Sequence, residues 1–150
     1  MIDPRPDDGK RTVLQGGRAK AYRPLPEPER RRAYDAALDA YERGDFFEAH
    51  ELLEPAWMGT DDLAERALHQ GLIKLAAAYV HGVRGNPAGI AKNLAGARDH
   101  LATAIGTDAE AWSGLEVSAL VAAIDERLTR LAADPNDASV DPPQLPRRTG

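Results

Sequence analysis

The chain has no cysteine, only two phenylalanines and two tryptophans, and no apolar run near the roughly 20 residues that span a bilayer. Each absence excludes something. Without cysteine there is no disulfide framework, no thiolate nucleophile and no thiolate metal site. The scarcity of aromatic and β-branched residues removes the usual material of sheets, and the alanine-rich middle of the chain favours helices instead. No charged leader followed by an apolar segment is visible, so a cytoplasmic protein with no membrane partner is expected. A P-loop, a GxGxxG fingerprint and a serine nucleophile elbow are also missing.

Charge excludes a further class. A formal net charge of -5 and a pI near 5.4 do not suit a protein that coats a polyanion, which needs clustered Lys and Arg to release counterions. No nucleic-acid partner is expected. Arg30, Arg31 and Arg32 do cluster, but Glu27, Glu29 and Asp35 surround them, which reads as a solvated helix face of mixed charge.

What is present is helical periodicity between two poorly apolar ends. Residues 1–27 read as an extended or disordered arm, 28–133 as one helical domain, and 134–150 as a disordered tail, because the ends carry little apolar surface to offset the entropy of ordering them. The spacing of apolar residues predicts about five helices. The first runs from Pro28 to Arg43 and stops at Gly44. The second is capped by Asp45 and carries Phe46, Ala49, His50, Leu53 and Trp57 on one side, with Pro55 kinking its last turn. The third, capped by Thr60, reaches His81 and is apolar almost all round. The fourth starts at Asn86 with Pro87 in its first turn and stops at Gly106. Two capping boxes, Thr107 with Glu110 and Ser113 with Glu116, predict a short turn before a last helix over Val117–Ala133. GDFFEAHELLE and GNPAGIAKNLA echo one another about 40 residues apart, so the fold class expected is all-α, a compact bundle with tetratricopeptide-like helix-turn-helix pairs.

Two polar seams interrupt the apolar faces. On the second helix His50 falls near the centre of the face set by Phe46, Leu53 and Trp57, with Glu54 one turn further at its edge. On the third, Gln70, Lys74 and His81 lie along one line. Consecutive helices joined by a short loop pack antiparallel, so His50, Glu54, Gln70, Lys74 and His81 can face one another across a groove, supported by Glu51 and Trp57. A hydrogen-bonded cluster that fixes helix register explains such a set without any chemistry. The alternative is a divalent metal held by His50, Glu54 and His81. HELLE is half of a zinc-protease helix, but Glu54 replaces the second histidine. His69 and His100 fall off both seams and read as surface or interface residues. Trp57 reads as core, and Trp112 sits in a loop-like stretch.

FFEAHELLEPAW, followed by HQGLIKLAAAYVHGVRGNPAGIAKNLAGARDHL, resembles the prokaryotic family called domain of unknown function 309, over about residues 30 to 131. The matching polar positions are His50, Glu51, Glu54, Trp57, Gln70, His81, Asn86 and Gly89. The resemblance implies a small all-helical fold and no activity. Two functions are therefore expected in order. The first is a non-enzymatic module that binds a protein, a peptide or a second copy of itself and needs no cofactor. The second is a metal-binding protein or metal-dependent hydrolase built on His50, Glu54 and His81, with Gln70 orienting a ligand and Lys74 stabilising negative charge.

Overall fold

The computed structural model describes residues 12–15, 18–83, 86–137 and 139–148, with side chains from residue 22 onward except 81–83. Strands β1 (Thr12–Gln15) and β2 (Arg18–Ala21) pair antiparallel with Thr12 opposite Ala21. Six helices follow: α1 (Glu27–Glu42), α2 (Phe46–Met58), α3 (Leu63–Val83), α4 (Pro87–Ala104), α5 (Asp108–Ser113) and α6 (Val117–Ala133). α1 packs on α2, α2 on α3 and α3 on α4, and α6 returns to α4. That return closes the helices into a bundle.

Local chemistry sets most of the helix starts. The Asp45 carboxylate accepts from the Glu48 N–H, and the Asn86 side chain accepts from the Gly89 N–H, each holding a first-turn donor that the helix itself cannot satisfy. α3 starts later than expected. Its cap is Asp62, which accepts from the Glu65 N–H at 2.8 Å, while Thr60 only receives the Asp62 N–H at 3.2 Å. The expected Thr107 box is also replaced. Thr107 makes no side-chain cap bond, and the Glu110 carboxylate instead accepts from the Gly106 and Val117 N–H groups at 2.9 Å each. One carboxylate thus ties the start of α5 to the start of α6, and the predicted turn becomes a sixth helix.

The core is centred on α3, whose Leu68, Leu72, Ile73, Leu75, Ala76, Ala78 and Tyr79 are all buried. Residues spread so widely round a helix demand neighbours on several sides. The approach to α4 is close because residue 71 is glycine. A Cβ there would lie 2.6 Å from Leu101 Cγ and 3.1 Å from its backbone nitrogen. Gly59 plays the same part for the segment leading into α1. The Arg23 and Leu25 N–H groups donate to the Met58 and Gly59 carbonyls at 3.0 Å, and a Cβ at Gly59 would meet Leu25 Cβ at 2.5 Å.

The tail expected to be disordered is laid across the bundle. Val140 and Leu145 are buried, the Tyr41 and Tyr79 hydroxyls donate to the Pro143 and Asp141 carbonyls, and Arg147 bonds both Glu42 carboxylate oxygens. Two apolar anchors and a set of distant hydrogen bonds order a segment whose composition alone does not.

The α3–α4 contact makes a measurable demand. Alanine in a helix interior is worth roughly 1 kcal/mol over glycine, whereas overpacking a close contact costs roughly 1–3 kcal/mol. Gly71→Ala should therefore lower stability in urea unfolding by about 1 kcal/mol. A gain of that size would contradict the close approach.

Candidate functional site

α2 turns its apolar stripe inward and leaves its polar residues along one flank. Ala49, Leu53, Ala56 and Trp57 are buried. His50 and Glu54 each follow a buried residue by one position, about 100° round the helix, and so reach the boundary between core and solvent. His50 keeps 30% of its side chain exposed and Glu54 keeps 23%. His50 is thus on the edge of the buried face. The expectation that put it near the centre was anchored on Phe46, which is itself only half buried.

The flank gathers a donor set. His50 Nδ1 lies 3.7 Å from Glu51 Oε2, and His50 Nε2 lies 4.0 Å from Glu54 Oε2. Among the described residues His50, Glu51 and Glu54 are a group in which one ligand atom from each lies within 4.8 Å of the others. Glu51 is more exposed than its companions, at 58%, but its carboxylate bends back to the imidazole. His50 Nδ1 is buried as an atom and has no hydrogen-bond partner among the described residues. Phe47, itself mostly exposed, stacks its ring 6.3 Å from the imidazole.

The second seam lies elsewhere. The stem of Lys74 runs over Gly96 of α4, so that a Cβ at Gly96 would meet Lys74 Cδ at 2.6 Å. His100, one turn beyond Gly96, is held below its ordinary value by burial and by the Lys74 charge. Gln70 is half buried one turn before Lys74, and among the described residues no hydrogen bond or ion pair joins Gln70 or Lys74 to His50 or Glu54. The backbone of His81 belongs to α3, while its side chain lies outside the described residues.

The most elaborate polar arrangement is one that periodicity did not mark. His69 is fully buried, not a surface residue, and its Nε2 lies 2.9 Å from Glu65 Oε2. Arg30 grips the same carboxylate with both arms, Nε to Oε2 at 2.7 Å and Nη2 to Oε1 at 3.2 Å. Burial by itself would raise the Glu65 carboxyl, but the hydrogen bonds from His69 and Arg30 outweigh it and hold it below the usual carboxylate range. Burial keeps the His69 imidazole below its ordinary value, so the ring is neutral near pH 7. Since a carboxylate only accepts, the proton sits on Nε2, and Nδ1 is left without a partner among the described residues. Tyr34 and Trp112 wall the ring in, at 5.8 and 5.4 Å. Trp112 belongs to α5 and not to a loop. Its indole donates to Glu27 at 2.7 Å, and the Arg31 guanidinium stacks over its ring at 4.0 Å while donating to its carbonyl. Of the arginine triplet, then, only Arg32 is the solvated residue expected of all three. Glu65 and His69 stand at the i, i+4 spacing of one helix face, which is the signal that identifies the pair.

The two clusters differ in what they can do. The buried one commits its carboxylate to Arg30 and His69 and encloses a neutral imidazole between two aromatic walls, out of reach of solvent. The α2 flank is open to solvent and its donors are not used up on one another at hydrogen-bond distance. Residues 34–93 match the model of the family described as Domain of unknown function (DUF309). The stretch contains the α2 flank and the Glu65–His69 pair, but not Arg30, Trp112 or the tail. No curated protein and no solved structure matches the chain.

Removing one member of a buried, hydrogen-bonded ion pair strands the other. Glu65→Ala should cost about 3–5 kcal/mol in chemical unfolding, against less than about 0.5 kcal/mol for Arg32→Ala. Similar losses for the two would refute the assignment. His69 also has a pH signature. Its folded-state pKa is depressed, so below the ordinary value of 6.5 the unfolded chain binds a proton that the folded chain resists, and stability falls as pH falls. His69→Gln should flatten the unfolding free energy between pH 6.5 and 5 relative to wild type. Parallel curves for the two proteins would show that His69 does not titrate in this way.

Proposed function

We propose that this protein is a helical binding module whose α2 flank holds a divalent cation, with His50, Glu51 and Glu54 as its protein ligands. The observation that carries the reading is the set of three donor atoms within 4.8 Å. Metal–ligand bonds of about 2.0–2.2 Å put two donors of a tetrahedral ion about 3.5 Å apart, so closure asks for a shift of roughly an ångström, within reach of carboxylates at the solvent boundary. One imidazole and two carboxylates suit zinc, manganese or ferrous iron better than a purely oxygen-liganded cation. Three protein ligands leave coordination positions open for water or for a group offered by a partner. All three come from five consecutive residues of a helix whose adjoining face is fixed by Leu53 and Trp57, so the site does not depend on a mobile loop.

The absence of a helix long and apolar enough to cross a membrane, among the described residues, fits a site reached from the aqueous phase. The lack of cysteine favours the cytoplasm as its compartment. Lys74 does not enter the ligand set, because its stem lies against Gly96 of α4.

Titration with zinc and manganese decides the matter. At a free concentration one hundred times Kd, a single site specific to the folded state adds about 2.7 kcal/mol to unfolding stability. His50→Ala and Glu54→Ala should each lose most of that gain while unfolding like wild type without metal. An equal gain in the His50→Ala protein, or no gain in wild type with either ion, would remove the proposal.

A further inference from the structure

From Glu65 to Tyr79 every residue of α3 is buried except Arg66, Ala67, Gln70, Lys74 and Ala77, which are half buried. At about 100° per residue these positions fall on one arc of the helix, so α3 presents a single strip outward. That strip is bordered by α2 and α4. The Arg66 guanidinium lies 6.0 Å from the centre of the Trp57 ring on α2, and the stem of Lys74 lies against Gly96 on α4. Two cations and an amide occupy the strip, with no carboxylate among them.

Both cations are uncompensated. Of the arginines with described side chains, only Arg66 and the exposed Arg23 form no ion pair. Lys74 forms none either, and neither Arg66 nor Lys74 donates a side-chain hydrogen bond among the described residues. A half-buried charge without a partner is costly. Burial holds the Arg66 guanidinium below its ordinary value, and the field of Asp61 offsets this only in part. Beside Arg66, the fully buried Trp57 keeps its indole N–H without an acceptor among the described residues. Charged and neutral donors gathered on one strip with no acceptor of the protein's own suit an oxyanion.

We propose that this strip binds a small organic dianion with a carboxylate at each end, one held by Arg66 and the other by Lys74, with the Gln70 amide between them. The Cα atoms of the two cations stand about 12 Å apart along the helix, a span that suits a short dicarboxylate better than a single inorganic ion. Two cations in a chain of net charge -5 do not hold a polyanion. The site is separate from the α2 cation and needs no metal.

Calorimetry at low salt on metal-free protein tests it, with the aliphatic dicarboxylates from succinate to suberate as probes and butyrate and inorganic phosphate as controls. At least one dicarboxylate should bind about tenfold or more tightly than butyrate, and Arg66→Met and Lys74→Met should each lose about that factor. Because the cations are uncompensated, both variants should unfold at urea concentrations no lower than wild type. The proposal is overturned by equal binding of dicarboxylates and butyrate, by undiminished binding in either variant, or by phosphate binding as tightly as the best dicarboxylate. A variant that fails to fold or unfolds well before wild type also overturns it, since its cation then has a partner inside the protein. His100 gives a readout in the unaltered chain. Burial and the Lys74 charge hold its imidazole below the ordinary value, so a dianion seated at Lys74 should raise its pKa in an NMR titration. No rise at saturation would contradict the site.

Discussion

Burial of α3 is the constraint from which the rest of the structure follows. It runs for 21 residues, about 31 Å, with apolar side chains spread over most of its circumference. Such a helix has little surface it can give to water, so other helices must cover it: α1 and α2 on one side, through Tyr34, Leu53 and Trp57, and α4 on another, through Leu94 and Leu101. The glycine at 71 sets how near α4 comes. α6 then covers α4, and the tail closes the face that Tyr41 and Tyr79 leave open.

The start of α3 adds the strongest polar constraint. Glu65 receives Arg30 from α1 and His69 from its own helix, and Trp112 of α5 leans on the same imidazole. Three elements meet at one carboxylate, with one positive charge, one negative charge and a neutral ring, so no net charge is buried there. This arrangement commits both oxygens of its carboxylate within the protein. The α2 flank is the opposite case: its inner face is locked by the same packing that buries α3, while His50, Glu51 and Glu54 are left at the solvent boundary.

Much of this was legible in the sequence, and what was not has a physical reason. The helix Val117–Ala133 was read to the residue because Leu120, Val121, Ile124 and Leu131 form one narrow stripe between a clear start and a proline. The Asp45 and Asn86 caps were equally plain. His69 was misread because α3 is apolar nearly all round, so no wheel drawn from it distinguishes an inner face from an outer one. Arg30 was taken for a surface charge because its partner lies 35 residues away. The tail was misread for a related reason, since the hydroxyl that holds Pro143 comes from a tyrosine 102 residues earlier. Within the candidate site, the i, i+4 pairing of His50 and Glu54 followed from spacing alone, whereas the inward bend of Glu51 depends on a side-chain conformation that spacing does not encode.

The central claim is that a cation sits on α2 between one imidazole and two carboxylates. Anomalous scattering from crystals grown with manganese or zinc locates such an ion directly. The account predicts a single strong peak on the α2 flank, about 2.0–2.2 Å from one nitrogen of His50 and from an oxygen of each of Glu51 and Glu54. A flank without a peak in crystals that bind the metal elsewhere, or at no site, would contradict it.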